Sequence, residues 1–372
     1  MTSRERVACA FERRKADRIP FGDFCIDNRC VEAVLGRPTP IHNPPLWLDR
    51  LAEGDWDGLA AQEADDWVDL ALSVGLDWIS LDANWSRPDV LPVKTGPHRW
   101  EWRGGTYSYD PQVMLMCWPA SPPVPLEEEA RGILSAPDPP PSALSDDQFE
   151  VVRGVARRLR QRGLDIPLAM RADGASSVHH RLELIALYPD AAEIYFNRQA
   201  AWVMALGTKA AEMGVSILSV GGHLGGNRTS LLSPKDFRRF ILPPLQAQIR
   251  AGHRAGAKVC VASGGCVWPF AREFLVESGA DGYRGIDTYA GMDLGLLHDQ
   301  YGKRICLIGG VDSVHTLARA GTDQVREETL RALEWFKDRP GFMLASSNSI
   351  HNGVPPENFL AMIEAHRSFY GL

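Results

Sequence analysis

The chain has 372 residues, 45% of them hydrophobic and 23% charged, with 34 Gly and 26 Pro, which suits one large α/β domain or two average ones. Its 40 Lys+Arg against 47 Asp+Glu leave a net charge of −7, without the basic stripe that binding a phosphate backbone requires, so nucleic acid is excluded as a partner class. No apolar run approaches the roughly 20 residues of a membrane span, and the charged start Met1-Thr2-Ser3-Arg4-Glu5-Arg6 leads into no signal-type stretch, so a cytoplasmic protein with no membrane partner is expected.

In chain order, Thr2-Ser3-Arg4-Glu5 pairs a hydroxyl cap with a following Glu and predicts a helix through Phe11. Arg18-Ile19-Pro20-Phe21 reads as a short strand, Pro38 to Pro45 as a loop, Ala61 to Leu72 as a helix and Asp77 to Leu81 as a strand. His98-Arg99-Trp100-Glu101-Trp102 alternates, Gly104-Gly105 turns, and Thr106-Tyr107-Ser108-Tyr109 alternates back, which predicts a β-hairpin. The stretch from Pro119 to Pro141 excludes regular helix around Pro137 and Pro139 to Pro141, so an insertion of about 86–142 is expected.

From Ser145 onward the rhythm becomes regular. Strands are predicted at Pro167–Met170, Val215–Leu218, Lys258–Val261, Asp281–Tyr283, Arg304–Ile308 and Gly341–Ala345. Helical segments lie between them, one opened by the hydroxyl cap and proline of Ser233-Pro234. About eight strands, most followed by a helix, predict a single (β/α)8 TIM barrel over 1–372, with the hairpin and the Pro-rich segment inserted. A doubly wound sheet is the weaker alternative, since no glycine-rich phosphate motif opens any of these helices.

The seven cysteines include no CxxC pair, and Cys260 and Cys266 are spaced C-x5-C, so free core thiols are expected rather than disulfides or a zinc ribbon. The eleven tryptophans are the unusual count. Those of the first third, among them Trp78, Trp85, Trp100, Trp102 and Trp118, are either core or the lining of a pocket for a flat or apolar ligand.

In such a barrel the chemistry sits just after the strand ends. Those positions hold Asp23, Asp27 and Arg29; Asp82 and Asn84; Arg171 and Asp173; His223, Asn227 and Arg228; Arg284 and Asp287; Asp312; and Asn348 and His351. His223, Asp312, His351 and Asp82 are the candidate acid–base groups. Asp23, Asp27, Arg29, Arg171, Asp173, Asn227, Arg284, Asp287, Asn348 and Trp85 are the candidate substrate contacts. Each carboxylate is also open to a simple capping role, and each Arg to a rim ion pair.

Four sets of segments are familiar together: Ser3-Arg4-Glu5-Arg6-Val7 with Asp17-Arg18-Ile19-Pro20, Ser233-Pro234-Lys235-Asp236-Phe237 with Pro243, Gly309-Gly310-Val311-Asp312, and Ser346-Ser347-Asn348-Ser349-Ile350-His351. They resemble the uroporphyrinogen decarboxylase superfamily, which also contains cobalamin-dependent methyltransferases. The resemblance implies the barrel and a homodimer. Two departures bear on function. Where the decarboxylases are arginine-rich after the first strand, Gly22-Asp23-Phe24-Cys25-Ile26-Asp27-Asn28-Arg29 is acidic with one Arg. Where the methyltransferases place His-x-Cys and a later Cys around zinc, this chain has Ala262, Gly264 and Asn348, so no zinc or other metal site is expected. The resemblance therefore implies a corrinoid-linked methyltransferase, removing an O- or N-methyl group from a small molecule without the zinc–thiol step. A corrinoid protein is the implied partner, and a corrinoid or tetrahydrofolate the methyl carrier. The alternatives are a decarboxylase (a carboxy-lyase) of a carboxylated substrate of uroporphyrinogen type, anchored by Arg171 or Arg284, and a non-catalytic binding homologue.

Overall fold

The structure, a computed structural model, describes residues 1–83, 86–119, 124–137, 144–173, 177–179 and 181–372. Among them, seven strands form one curled parallel sheet. They are β1 (Ile79–Leu81), β6 (Leu168–Asp173), β7 (Val215–Gly221), β8 (Lys258–Ala262), β9 (Gly282–Arg284), β10 (Cys306–Val311) and β11 (Phe342–Ser346), hydrogen-bonded in that order. The intervening strands β2 (Val93–Gly96), β3 (Arg99–Trp102), β4 (Gly105–Asp110) and β5 (Leu115–Cys117) make a separate antiparallel sheet. The predicted hairpin is its β3–β4 pair. No helix of the described residues is long and apolar enough to cross a membrane.

The predicted strand around Arg18–Phe21 is reduced to a single parallel bridge, Phe21 to Leu344. Pro20 lacks an N–H, but its carbonyl accepts from Leu344 N, the Gly22 N–H donates to Leu344 O, and Phe21 O accepts from Asp77 N on the other side. The segment thus hydrogen-bonds both to β11 and to the chain entering β1. Gly22 is required by close approach, because a Cβ there would lie 2.7 Å from the Trp78 ring. Elsewhere several predicted single helices are composite. The Ser233 segment, for example, passes from one turn (Pro234–Asp236) through a π-type stretch (Phe237–Ile241) into Leu242–Arg254.

Strand alternation sorts the residues into two cores. Ala169, Ile217, Cys260, Ile308 and Met343 pack in the hollow of the sheet with Phe24 and Trp78, and helix α1 (Ser3–Phe11) plugs its lower end through Val7, Ala10 and Phe11. Leu218, Val259, Leu307 and Leu344 belong instead to the larger core shared with the outer helices. Cys260 and Cys306 are buried in the hollow, where burial pushes their thiols well up, consistent with the expected inert core role. Two residues beyond Ala169, Ile217 and Gly282, the same phase brings Arg171, Ser219 and Arg284 to the upper end of the hollow.

Helices α2 (Asn28–Leu35), α3 (Pro44–Ala52) and α4 (Trp56–Val74) lie between that bridge and β1. The small antiparallel sheet docks on α3 and α4. In β3, Trp100 and Trp102 alternate inward against Trp47, Leu48, Leu51, Trp56 and Leu59, while Arg99 and Glu101 face out. Trp100 is fully buried and donates its indole N–H to Asp49 Oδ1 at 2.9 Å.

Candidate active site

Of the residues predicted for the strand-end rim, three line one cavity, five line a second, and the other described ones line neither. The first, about 590 Å³, has a polar floor of Cys25, Asp27, His42, Asp82 and Arg171 and walls that include Trp47, Trp56, Glu63, Trp102, Tyr107, Met116 and Trp118. The second, about 570 Å³, is lined by Asn227, Gly264, Asp287, Asp312, Asn348 and His351 among others.

The floor of the first cavity is organised by Asp82. The parallel register of β1 against β6 pairs Leu81 with Met170, which brings the next residues, Asp82 and Arg171, side by side. Arg171 donates Nε to Asp82 Oδ1 at 3.1 Å and Nη2 to Oδ2 at 2.6 Å, a bidentate pair. His42 Nε2 lies 3.0 Å from Asp82 Oδ2 and its Nδ1 lies 2.9 Å from Ile26 O, so both ring nitrogens face acceptors. Burial disfavours charge on His42, but Cys25 and Asp82 outweigh it and raise its pKa well above the ordinary imidazole value. Burial likewise opposes ionisation of Asp82, yet Arg171 and His42 hold its carboxyl well below the usual range.

His42 reaches this position through local backbone chemistry. Pro44 and Pro45 open α3, and a residue before proline is driven out of the α region, leaving Asn43 at φ −118°, ψ 74°, with its side chain accepting from Leu46 N. The chain turns one residue earlier, with His42 at φ +46°, a left-handed conformation that non-glycine residues rarely adopt. From α4, Trp56 and Glu63, seven residues apart and so on one helix face, line the wall. Glu63 Oε2 is buried without a hydrogen-bond partner, and burial pushes its carboxyl up to about 7. Tyr107 contacts Trp102 and Trp118, with ring centroids 5.7 Å apart in both pairs.

Of the residues predicted as site groups, Asp27, Asp82 and Arg171 meet in this cavity. Asp23 and Arg284 are buried beneath the rim. Asp23 accepts from Ser346 N and Cys25 N, joining the two chain segments, and Arg284 Nε donates to Ser219 Oγ at 2.7 Å, its pKa lowered to about 10 by burial and by Arg171. Asn227, Asp287, Asp312, Asn348 and His351 line the second cavity. There Asp312 accepts from the N–H groups of Val314, His315 and Thr316, and Asp287 from that of Ala290, both as caps. His223 is exposed, with its ring 5.4 Å from that of His179, and Arg29 is exposed beside Asn352. Trp85, Asn84 and the side chain of Asp173 lie outside the described residues. Sequence reasoning missed Cys25, His42 and Glu63. The Pro38–Pro45 stretch reads as plain loop and Glu63 as one more acid on a helix, and only the Trp count signalled that a pocket lay in this third of the chain.

At the positions where the resemblance would put zinc ligands, Ala262 is buried, and a Cβ on Gly264 would lie 3.7 Å from Asn348 Nδ2 and 3.9 Å from His223 Nδ1. That donor set does not fit zinc, having neither a thiolate nor a carboxylate. Cys266 is packed in the core.

A profile of the uroporphyrinogen decarboxylase (URO-D) family matches residues 166–369. Of the residues lining the first cavity, only Arg171 and Asn352 fall inside that match. Two curated relatives are named uroporphyrinogen decarboxylase. One, from Thioalkalivibrio sulfidiphilus, is 28% identical over 206 residues, covering 54% of this chain and 51% of the relative. The other, from Geobacter metallireducens, is 29% identical over 140 residues, covering 37% and 38%. The chain thus spans about half the length, or less, of these curated relatives. Among solved structures, a methyltransferase from Methanosarcina mazei is similar over 100% of this chain and 99% of its own, with a TM-score of 0.67 and 18% identity, a likeness of fold.

Proposed function

The chain belongs to the uroporphyrinogen decarboxylase family, and from that membership we propose a methyltransferase that removes an O-methyl group from a small, flat substrate held in the aromatic cavity. The same reading takes residues 1–372 as one (β/α)8 barrel, with Pro20–Gly22 as its eighth stave and an insertion of about 86–142 as the wall of the site.

The observation that carries the proposal is the lining of the first cavity. Asp27, Asp82 and Asp147 are balanced by Arg103, Arg171 and His42, and Asp82 already occupies Arg171 and His42. A polycarboxylate would find no excess of positive charge there, whereas a neutral aromatic ether gains stacking area from Tyr107 and Trp118. A departing methyl group leaves its bonding electron pair on the substrate oxygen, which then needs a proton. Glu63 supports that role, because a carboxyl with a pKa of about 7 keeps much of its proton at neutral pH and its Oε2 is uncommitted. The acid expected from sequence at His223, His351 or a rim Asp is therefore assigned to Glu63.

On this reading the ether fills the cavity, and a corrinoid carrier would approach on a partner protein at the mouth. When bound, it supplies the lone pair that takes the methyl group. This chain's residues bind and orient the ether, exclude water and deliver the proton.

The test is incubation of the purified protein with a reduced corrinoid protein and a panel of methoxylated and N-methylated aromatics, following methylcobalamin by absorbance. Methylation that depends on a methoxylated donor is expected. Release of CO2 from a carboxylated tetrapyrrole, with no methyl transfer from any donor, would establish instead the decarboxylase activity for which the curated relatives are named.

A further inference from the structure

The floor of the aromatic cavity contains a donor set that neither the methyl-transfer proposal nor the family resemblance uses. Among the described residues, Cys25, Asp27 and His42 form the one group of three metal-type donors whose atoms all lie within 4.8 Å of one another. Cys25 Sγ is 3.7 Å from His42 Nδ1 and 3.7 Å from Asp27 Oδ1, and Nδ1 is 3.5 Å from Oδ1. Metal–ligand bonds of about 2.0–2.3 Å at tetrahedral angles give ligand–ligand edges of about 3.3–3.6 Å, so small side-chain rotations close this triangle on an ion. We propose that Cys25, Asp27 and His42 bind a zinc-type divalent ion, with the fourth coordination position open toward the aromatic cavity.

Three further features support the assignment. First, the ligand His42 already has an outer partner, since Nε2 faces Asp82 Oδ2 at 3.0 Å and Asp82 is itself held by Arg171. A carboxylate behind a histidine fixes its tautomer, and a rotation that releases Nδ1 from the Ile26 carbonyl, 2.9 Å away, turns that nitrogen to the ion. Second, Asp27 occupies the N-cap position of α2 but makes no side-chain cap bond. Its Oδ2 instead accepts from Asn352 N at 3.0 Å, leaving Oδ1 turned to Cys25 and His42. Third, His42 holds a left-handed backbone, φ +46°, at a position where no helix ends.

The charges also close. A thiolate, two carboxylates and one guanidinium around a divalent ion sum to zero once the ion displaces the Nδ1 proton of His42, whose Nε2–H stays donated to Asp82. Three protein ligands with an open fourth position are the arrangement of catalytic rather than structural zinc. The donor set differs in place from the one implied by the resemblance, around Ala262, Gly264 and Asn348. Metal binding itself stands apart from the methyl-transfer proposal. The role of the open position rests on that proposal, and is to hold the ether oxygen from which the methyl group leaves, acting as a Lewis acid beside Glu63.

The experiment is cobalt substitution of the full chain after chelation, with metal content measured in parallel. One Co2+ per chain is expected, with a thiolate-to-cobalt charge-transfer band and the intense visible bands of a four-coordinate ion. Cys25→Ser removes the charge-transfer band and weakens binding at least about 100-fold. Asp82→Asn keeps the band and weakens binding by about 10–100-fold. Asp27→Ala, which costs no helix cap, serves as the second ligand variant if Cys25→Ser fails to fold, and weakens binding comparably. Substoichiometric cobalt, or a charge-transfer band that survives Cys25→Ser, overturns the site. Stoichiometric binding without methyl transfer would sink the methyl-transfer proposal and leave the site standing. Full methyl transfer by metal-free protein would overturn the role given to the open position.

Discussion

Arg171 and Asp82 meet through two parallel hydrogen bonds because β6 and β1 are neighbours in register, and the same carboxylate receives His42 from a loop 40 residues earlier. Asp82 is thus the point at which sheet, loop and cavity are joined. Asp82→Asn keeps the shape but cannot accept both guanidinium bonds. It should lower stability by roughly 2 kcal/mol in urea unfolding and kcat/KM by about 100-fold. Unchanged values for both would show the pair to be an idle rim contact.

Glu63 sets a pH limit. Its carboxyl is raised to about 7, so the proton-donating form dominates below that pH and is lost above it. Activity should fall as pH rises through about 7. Glu63→Gln should remove that alkaline limb and lower kcat by about 10²–10⁴. A limb that persists in the variant would assign the acid elsewhere.

Trp118 is exposed at the cavity wall, with Tyr107 against it. Trp118→Ala should raise KM for an aromatic substrate about 10-fold, corresponding to about 1.4 kcal/mol of stacking, with kcat nearly unchanged. A loss confined to kcat would contradict a purely binding wall.

His366 is buried against Phe21, with ring centroids 5.1 Å apart, and its Nε2 donates to Ile19 O at 2.9 Å. Burial, helped by Arg18 and Arg6, lowers its pKa to about 4. Between that value and the ordinary 6.5 the unfolded chain binds the extra proton, so stability rises with pH across this window. The contribution is complete above about 6.5 and is lost toward pH 4, by about 3 kcal/mol. Unfolding free energies of His366→Gln measured at pH 4.5 and 7 should converge relative to the parent.

Gly264 sits where the family resemblance would place a zinc thiolate, yet its backbone is not left-handed and an added Cβ finds only ordinary contacts. Gly264→Ala should therefore change stability by no more than about 0.5 kcal/mol in thermal unfolding. A larger loss would mean that the glycine is held by packing rather than simply lacking a ligand.

The strands were legible because each carries its own signal. Val215-Ser216-Ile217-Leu218 and Arg304-Ile305-Cys306-Leu307-Ile308 are apolar runs bounded by turn residues, and the Trp100/Trp102 alternation announced the hairpin. Arg18–Phe21 was legible as extended but not as a single bridge, since Pro20 removes a donor that a longer strand would need. The rim was less legible. Asp312 has the same residue type and the same strand-end position as Asp82, and Asp287 lies three residues past its strand; which of them caps a turn depends on whether nearby N–H groups turn back toward it.

The sequence by itself determined the alternating α/β order, the acidic stretch Gly22–Arg29 and the absence of zinc-type donors at Ala262, Gly264 and Asn348, because residue type and period are local properties. Only the tertiary structure decided which rim residues line each of the two cavities, and that Cys25, His42 and Glu63 stand with Asp82 while His223 and His351 do not. Strand register and the path of a loop over the rim are set by packing of the whole chain, and they bring together side chains whose spacing in sequence carries no trace of their contact.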